Sequence, residues 1–537
     1  MKFRLPGLLM LALSVLTLTG IVGCGGSADT PAEPAVNSTD PATAGARPVE
    51  PDVLPSEDGS TAKQNPPPGS SSGSEAAARP ANGQPAGQQP VFRPEPACPL
   101  RPDDDRPQHD DAALAELGIE VYRSHRLKLY TDVPAEVASK LPRLVDQLYR
   151  QIEAYFGPIP PHPSGEEYQM TGYLMRDQRV FRETGLLPDS LPPFLHGRQE
   201  GRQFWMNDQE HDYYRRHLLL HEATHCLMRV MPPETHGPSW YMEGMAELFG
   251  THHSDFKDDY RFIRTCAMPT TREEFAGLGR ITMIQDERAA GRVLSINDVR
   301  QLGPNSYLKN EPYAWSWALC VFLNHHPRFT ERFQQLAKLV GTRSLSPAFD
   351  QLFAPDRALL EQEWRLFVRQ LQHRYSVWST ATVYQPQPAD AEEGSTGSGA
   401  AVLIDANRGW QSTGVRVEQG VPVKLTATGQ FALAHIPRKW ISEANGISLR
   451  YANGHRLGLL LGMVALDESQ AAAELSEVTA PGRLQIVPIG SQGTFVPPAS
   501  GTLFLRLNDE WWELYDNTGQ VTVTISPDRK PPAAAMP

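Results

Sequence analysis

The spacing of hydrophobic positions changes twice along the chain and separates three kinds of sequence. Residues 25 to about 97 are rich in Ala, Pro, Gly, Ser and Gln and contain few aromatic residues. Such a stretch cannot bury enough apolar surface to offset its ordering entropy, which predicts a disordered tether. Up to about residue 378, short extended runs give way to helical repeats, and from residue 399 apolar residues alternate with polar ones.

The middle region is predicted to contain a few strands followed mainly by helices. The strand candidates are 121–130, 168–175 and 203–207, and the helix candidates are 135–156, 212–231 and 240–250, followed by mainly helical sequence from about 280 to 375. This order predicts an α+β domain. Residues 203–207 form either a plain core strand or an edge strand that pairs with an extended substrate backbone.

Alternation with a period of two dominates the last region, where Val521, Val523 and Ile525 are separated by threonines. This is the pattern of half-buried strands and predicts an all-β sandwich. The predicted organisation is therefore multidomain: a signal peptide at 1–23, a tether at 24–106, an α+β domain at 107–378, a linker at 379–398, a β-sandwich at 399–527 and a tail at 528–537.

Length and charge narrow the classes of function. The chain has 537 residues, which exceeds one ordinary domain, and its net charge is −12. No block of five or more basic residues occurs, and this argues against nucleic-acid binding.

The N-terminus resembles the export signal of bacterial lipoproteins. Basic residues precede a short apolar stretch at 8–22, and Ile-Val-Gly-Cys at 21–24 resembles a lipobox. The resemblance implies acylation of Cys24 and a lipid anchor in the cell envelope. Gly25 follows, where Asp is an inner-membrane retention signal in some Gram-negative bacteria, so the outer membrane or cell surface is expected. The alternative is an ordinary signal peptide cut near Gly23.

Four further cysteines, Cys98, Cys226, Cys266 and Cys320, allow three complete disulfide pairings. An exported location permits disulfides, but the sequence does not choose among the pairings. The alternative is that Cys226 and Cys320, which lie in apolar helical sequence, are buried thiols.

The predicted helix at 212–231 carries the pattern His-Glu-x-x-His at His221, Glu222 and His225. Residues one turn apart project from the same face of a helix, so the two imidazoles can bind one zinc ion. Glu222 can then act as general base on a zinc-activated water. The alternative is that both histidines are structural residues of the core.

The next predicted helix supplies two carboxylates, Glu243 and Glu247, on one face. Acidic residues in so apolar a helix are costly unless they are paired or bound to a metal. Catalytic zinc usually has three protein ligands, which predicts Glu243 as the third ligand. Glu247, one turn further, is predicted to accept the spare ring N–H of a ligating histidine.

These two helices resemble those of the gluzincin metallopeptidases, in which His-Glu-x-x-His is followed by a Trp-x-x-Glu-Gly-x-Ala-type helix. The exported bacterial "peptidase MA-like" group looks similar over about residues 107–375. The resemblance implies a zincin-like fold, a zinc cofactor and a peptide or protein substrate. Pro312-Tyr313 resembles the segment that carries the catalytic tyrosine of gluzincin aminopeptidases, which implies that Tyr313 stabilises the oxyanion.

Several alternatives remain open at this site. The chain lacks a Gly-x-Met-Glu-Asn-type exopeptidase motif, so endopeptidase action or an unusual substrate is an alternative to aminopeptidase activity. A second alternative is that the zinc site serves binding or scaffolding without proteolysis, and a third is that Tyr313 is an ordinary aromatic at the start of a helix. His252 and His253 either line the cleft or lie in a solvated loop.

A polar loop at 508–519 places Asp509, Asp516 and Asn517 between two alternating strands. Their oxygen atoms are ligands of the kind that calcium prefers. The loop resembles the calcium loop of PA-IL-type galactophilic lectins, which are small β-sandwiches. The resemblance implies Ca²⁺ bound by these three side chains and by the Glu513 carbonyl, together with carbohydrate binding.

Trp511 and Trp512 have no counterpart in the calcium loop of those lectins. Three roles are open for these tryptophans: stacking on sugars, packing in the core, or contact with a partner.

Two hypotheses for the whole chain follow. In the first, an exported, lipid-anchored zinc metallopeptidase carries an accessory carbohydrate-binding-like domain. In the second, a catalytically idle binding or adhesin lipoprotein acts through the β-sandwich. Only the first requires Glu222 in addition to the metal ligands, and this favours the first hypothesis.

Overall fold

The computed structural model describes residues 106–159, 167–230, 237–254, 262–271, 279–339, 345–388, 399–435 and 438–527. The predicted signal peptide, Cys24, nearly all of the tether, Cys98 and the tail lie outside these residues. No helix in the described part of the chain combines the length and apolar character needed to cross a membrane.

A five-stranded mixed sheet opens the described chain, with the strand order β1-β2-β3-β5-β4. Strands β2, β3 and β5 run parallel, and β1 and β4 pair antiparallel at the two edges. The bounds are β1 (Glu120–Arg123), β2 (Leu127–Thr131), β3 (Met170–Met175), β4 (Gly197–Glu200) and β5 (Gln203–Asn207).

The single strand predicted at 121–130 is wrong, because this segment is the hairpin β1–β2. Its tight turn is closed by Ser124 N–H, which donates to the Leu127 carbonyl at 2.8 Å. The Ser124 hydroxyl also donates to the buried Asp146 carboxylate at 2.7 Å. A side-chain contact between distant segments fixes this turn, so the local hydrophobic pattern did not reveal it.

The edge-strand interpretation of 203–207 is also wrong. Strand β5 lies between β3 and β4, and its residues Phe204, Trp205 and Met206 are buried. The edge strand beside β5 is β4, whose sequence Gly-Arg-Gln-Glu carries no hydrophobic alternation. A polar edge strand is invisible to a search for apolar periodicity.

Helices cover the rest of the first part. The helix predicted at 135–156 is interrupted after Ala138, and a second helix restarts with Pro142 in its first turn, where proline is favoured. The bounds are α1 (Asp111–Glu116), α2 (Ala135–Ala138), α3 (Pro142–Phe156), α4 (Gln178–Glu183), α5 (Asp212–Arg229), α6 (Ser239–Gly250), α7 (Arg280–Ala289), α8 (Ile296–Arg300), α9 (Glu311–His325), α10 (Thr330–Ala337), α11 (Leu345–Phe353), α12 (Arg357–Gln370) and α13 (Val377–Thr380), with a small hairpin of β6 (His252–Ser254) and β7 (Ile263–Thr265) after α6.

Helices α6 and α9 approach each other closely at Gly244. A Cβ atom at this position would lie 2.6 Å from both the Ser316 carbonyl oxygen and the Cys320 sulfur. Only glycine permits this separation, because the obstructing atoms include backbone of the neighbouring helix. The contact brings Glu243, one residue earlier, close to the start of α9.

The β part forms two facing sheets, as the alternating sequence predicts. One has the order β10-β18-β15-β14, and the other has the order β13-β12-β19-β11-β17 with β9 and β8 added beside β19. The bounds are β8 (Gln387–Pro388), β9 (Ala400–Asp405), β10 (Gln411–Val417), β11 (Val423–Thr428), β12 (Phe431–Ala434), β13 (Trp440–Ser442), β14 (Asn445–Ala452), β15 (His455–Ala465), α14 (Leu475–Val478), β16 (Val487–Pro488), β17 (Gln492–Phe495), β18 (Gly501–Leu507) and β19 (Thr518–Pro527).

The α+β part and the β part share one buried hydrophobic cluster. The described residues of the predicted linker, 379–388, are ordered: Tyr384 is buried, and β8 pairs with β9. Residues 389–398 lie outside the described residues. Side chains from both parts meet in this continuous cluster. The interface between the two parts, which we call the seam, is therefore closely packed.

One amide joins the two parts at the seam. Gln362 in α12 is fully buried, and its side chain accepts from the Leu466 N–H at 2.8 Å and donates to the Leu466 carbonyl at 3.1 Å. The glutamine therefore pairs with β-part backbone that would otherwise be buried without partners.

We expect Gln362→Leu to lower the free energy of unfolding by about 2–4 kcal/mol, because it leaves two buried backbone groups unpaired. Chemical denaturation of the purified protein measures this change. Gln419→Leu, at an exposed position, is the matched control and should change stability by less than about 0.5 kcal/mol. Equal stability of the two variants would contradict the role assigned to Gln362.

Candidate metal centre

Helix α5 presents His217, His221 and His225 at intervals of four residues, on one face. The helix begins at Asp212, whose acidic side chain suits the positive end of the helix dipole. Its leucines are buried against the neighbouring elements, so the histidines project from a rigid support. The adjoining helix α6 faces them with Glu243 and Glu247.

Three ligand atoms converge between these helices. The Nε2 atoms of His221 and His225 are 3.1 Å apart, and the Glu243 Oε2 atom lies 3.2 Å from His225 Nε2 and 3.5 Å from His221 Nε2. Zinc bonds of about 2.0–2.2 Å in tetrahedral geometry place neighbouring ligand atoms about 3.3 Å apart. The donor set and its spacing therefore fit zinc.

The electrostatics of this triad also favour a cation. Burial by itself would raise the pKa of Glu243, but attraction to His225 and hydrogen bonds from both histidines lower the pKa to about 2. Burial would lower the pKa of His221, but hydrogen bonds to Glu243 and Glu247 raise it to about 10. The surrounding carboxylates thus stabilise positive charge at this point.

The Glu247 carboxylate contacts two of the three histidines. Its Oε1 atom lies 3.2 Å from His221 Nδ1, and its Oε2 atom lies 3.1 Å from His217 Nε2. Arg280, the first residue of α7, makes two hydrogen bonds of 2.7 Å with the same carboxylate. This carboxylate fixes the His221 ring so that Nε2 faces Glu243.

A second group, His217, His221 and Glu247, also brings three potential ligand atoms together. The Arg280 guanidinium already occupies both oxygens of Glu247 and would repel a metal ion there. Of the two groups, His221, His225 and Glu243 are therefore the better placed to hold a metal ion.

Glu222 is buried beside the triad and lines a cleft of about 250 Å³. Burial raises the pKa of its carboxyl group. Gly197 of the edge strand packs directly against it, since a Cβ atom there would lie 2.3 Å from Glu222 Oε1. The absence of a side chain at 197 thus makes room for the carboxylate.

Tyr313 lies in the first turn of α9 and lines the same cleft. Its ring centre is 6.0 Å from that of His221. Burial and the nearby Glu243 and Glu222 raise its pKa, so its hydroxyl keeps its proton and is a donor at neutral pH. Tyr307 also lines the cleft, but its hydroxyl is bonded to the Ser316 hydroxyl at 2.7 Å.

Sequence reasoning did not find Gly197, His217, Arg280 or Tyr307. His217 was detectable, because it continues the four-residue spacing of His221 and His225. Arg280 and Gly197 carry no local signal, since each acts through a residue that only the fold brings near. His252, which the sequence left as a candidate for the cleft, is buried in β6 against Tyr213 and does not line it.

The loop after β18 brings together part of the predicted calcium set. The Asn517 amide donates to Asp509 Oδ2 at 2.8 Å, and both residues are buried. Burial raises the pKa of Asp509 to about 7. Asp516 Oδ1 and Asn517 Oδ1 are buried and accept no hydrogen bond from any described residue.

The tryptophans of this loop lie at the seam. Trp511 is buried, with the Arg506 guanidinium 3.6 Å above its ring and the ring centre of Tyr375, in the α+β part, 6.4 Å from its own. Arg374 lies 5.4 Å over Trp512. Trp511 is therefore a core residue and cannot stack on a sugar.

The three cysteines of the described residues are free thiols, and Cys226 and Cys320 are buried. Every complete pairing of the four cysteines would join two of these three, so none of the pairings forms.

No protein-family model and no curated protein matches the chain. Among solved structures, the N-terminal domain of EclA, titled a PllA-like lectin, is similar over 24% of this chain and 95% of its own, with 18% identity and a TM-score of 0.18. A mutant of the M1 zinc metallopeptidase from Deinococcus radiodurans is similar over 46% of this chain, with 15% identity and a TM-score of 0.25. The match spans 49% of that metallopeptidase.

We expect the protein to bind one zinc ion at His221, His225 and Glu243. Alanine at any of the three positions should abolish tight binding, and Glu247→Gln should weaken it roughly 10–100-fold, because the supporting acceptor of His221 is weakened. Competition with a chromophoric chelator measures the affinity. His253→Ala, outside the triad, is the control, and unchanged zinc affinity in Glu243→Ala would contradict the assignment.

Proposed function

We propose that the chain is a zinc-dependent hydrolase of peptide bonds. The observation that supports this is the convergence of His221, His225 and Glu243 beside a buried carboxylate, Glu222, at an open cleft. When bound, zinc would supply a Lewis acid for the substrate carbonyl and for water. A site used only to hold a metal has no need of a further buried carboxylate beside the cleft.

Glu222 is the general base of the proposed reaction. Its carboxylate accepts a proton from the attacking water and delivers it to the nitrogen of the leaving amine. The close approach of Gly197 restricts the carboxylate on one side, and this restriction favours a productive orientation. The Tyr313 hydroxyl donates a hydrogen bond to the oxygen that becomes negatively charged in the transition state.

Strand β4 is the proposed docking edge for the substrate. Its inner edge pairs with β5, and its outer edge pairs with no strand among the described residues. An extended peptide can add to such an edge by backbone hydrogen bonds. Since Gly197 in β4 touches Glu222, a peptide bound there would pass directly in front of the general base, which is compatible with cleavage within a chain.

For the whole protein we propose export and a lipid anchor at Cys24 in the bacterial cell envelope, outer membrane or cell surface. The lipobox-like residues 21–24 support this part of the proposal. The alternative function is a catalytically idle binding or adhesin lipoprotein that acts through its β part. It would retain the metal ligands but would not depend on Glu222.

We expect Glu222→Gln to retain zinc and lose at least about 1000-fold in kcat on a cleaved peptide, because the amide cannot accept the proton from water. A fluorogenic peptide library, read with and without a zinc chelator, supplies the substrate and the assay. Equal cleavage by the variant and the parent would exclude the proposed mechanism, and no cleavage by the parent would favour the idle binding protein.

Gly197→Ala tests the positioning of the base. The added methyl group would overlap Glu222 and displace its carboxylate, so we expect kcat to fall by about tenfold or more while the zinc content stays unchanged and the free energy of unfolding falls by no more than about 1–3 kcal/mol. Gly303→Ala is the matched control, because a Cβ there meets no atom within 4 Å. Equal kcat for the two variants would contradict the role of Gly197.

For the β part we propose a calcium site at Asp509, Asp516 and Asn517, with carbohydrate as the ligand class that it would recruit. The buried oxygens of Asp516 and Asn517 that accept no hydrogen bond from described residues support a cation here. Calcium takes such carboxylate and amide oxygens as ligands.

We expect calcium to raise the melting temperature of the full-length protein by several degrees at saturating concentration, since a ligand that binds only the folded state stabilises it. Asp509→Asn should remove the shift, whereas Asp467→Asn should retain it. Calorimetric titration with galactose, with and without calcium, then tests the carbohydrate. Identical calcium shifts in parent and Asp509→Asn would exclude this site.

A further inference from the structure

A second cleft, of about 360 Å³, lies on the seam between the α+β part and the β part. Four arginines from separate segments line it: Arg288 in α7, Arg365 and Arg369 in α12, and Arg483 after α14. No carboxylate lines this arginine cleft among the described residues. It is thus a concentrated positive region in a chain whose net charge is −12.

Backbone carbonyls hold two of these arginines in place without neutralising them. Arg369 donates to the Leu484 carbonyl at 2.9 Å, which ties α12 to the β part. Arg288 donates to the Val368 carbonyl at 3.2 Å, which ties α7 to α12. Each guanidinium keeps further N–H groups that these carbonyls do not use.

Carboxylates partner the other two arginines. Arg365 bonds to Glu361 at 3.1 Å, and Arg483 contacts Glu477 at the longer distance of 3.4 Å. Four positive charges therefore face two negative ones, which leaves two positive charges unbalanced around the cleft.

Keeping this excess charge together is unfavourable for the folded chain. The Arg483 side chain is only 5% exposed, and its Nε and Nη1 atoms bond to no described residue. Arg365 and Arg369 are one helical turn apart, where like charges repel. A buried cation that lacks a full partner is costly unless an anion joins it.

One wall of the cleft is apolar. Val293 is 46% exposed there, and the buried Leu366, Val368 and Val478 continue the surface. The cleft therefore offers charge to one end of a ligand and an apolar contact to the rest.

We propose that the arginine cleft binds a multiply charged oxyanion, a phosphate or sulfate group, that bridges the two parts of the chain. Guanidinium groups match such oxyanions because their parallel N–H groups bond to two oxygens at once. A bound dianion balances the two excess charges. The group comes either as a free ion or on an apolar body such as a lipid, and the shared chemistry is the oxyanion.

The test uses the full-length protein with zinc removed by a chelator, so that the metal centre does not take up the probe. Calorimetric titration with inorganic phosphate at constant ionic strength forms one arm. Co-sedimentation with vesicles that contain phosphatidic acid, whose phosphomonoester can carry two negative charges, against phosphatidylcholine vesicles, forms the other. Both are repeated with Arg288→Gln/Arg369→Gln, with the corresponding lysine double variant, and with Arg408→Gln, an exposed control.

We expect the glutamine double variant to bind its probe at least tenfold more weakly, because charge-assisted hydrogen bonds are lost. The lysine variant should recover part of the affinity, and Arg408→Gln should match the parent. Phosphate binding with these properties identifies a free oxyanion, and retention only on phosphatidic acid vesicles identifies a lipid phosphate. Either result supports the proposal.

The proposal is overturned if neither probe binds, or if the glutamine double variant and Arg408→Gln bind equally. Circular dichroism of each variant establishes that it is folded. The readout does not involve peptide cleavage, so this outcome is independent of the proposed hydrolase activity.

Discussion

One buried carboxylate, Glu247, holds the metal centre together. Arg280 neutralises it through two short hydrogen bonds, and His217 and His221 occupy its remaining positions. Removing one partner of a buried ion pair costs about 3–5 kcal/mol, so loss of Arg280 would strongly destabilise this arrangement. The ion pair joins α6 to α7, and the histidine contacts join both to α5, so the three helices are fixed around the place where the ligand atoms meet.

Two glycines set the close distances that this arrangement needs. Gly244 lets α9 approach α6 until backbone and sulfur atoms fill the position of a Cβ atom, which brings Tyr313 near the triad. Gly197 lets the polar edge strand rest directly on Glu222. In both cases the missing side chain provides space for a neighbouring group, so the function of each glycine depends on its partner and not on its own backbone angles.

A few polar and aromatic side chains join the two parts at the seam. Gln362 pairs with β-part backbone, and Trp511 lies between Arg506 and the α+β part. Trp511, which the sequence left as a candidate for stacking on a sugar, is therefore buried in the interior. The same seam collects four arginines, and their excess charge distinguishes it from an ordinary apolar contact between two units.

The sequence by itself was enough to predict the candidate metal ligands and the order of the two parts. Helical spacing relates His221 to His225 and Glu243 to Glu247, and alternation gives the strands of the β part, because both signals are local. The tertiary structure alone decided what these residues touch. It identified β4 as the edge strand, paired Arg280 with Glu247, placed Gly197 against Glu222 and left the described cysteines as free thiols. Each of these depends on contacts between segments far apart in the chain, and no local period of hydrophobic residues encodes such a contact.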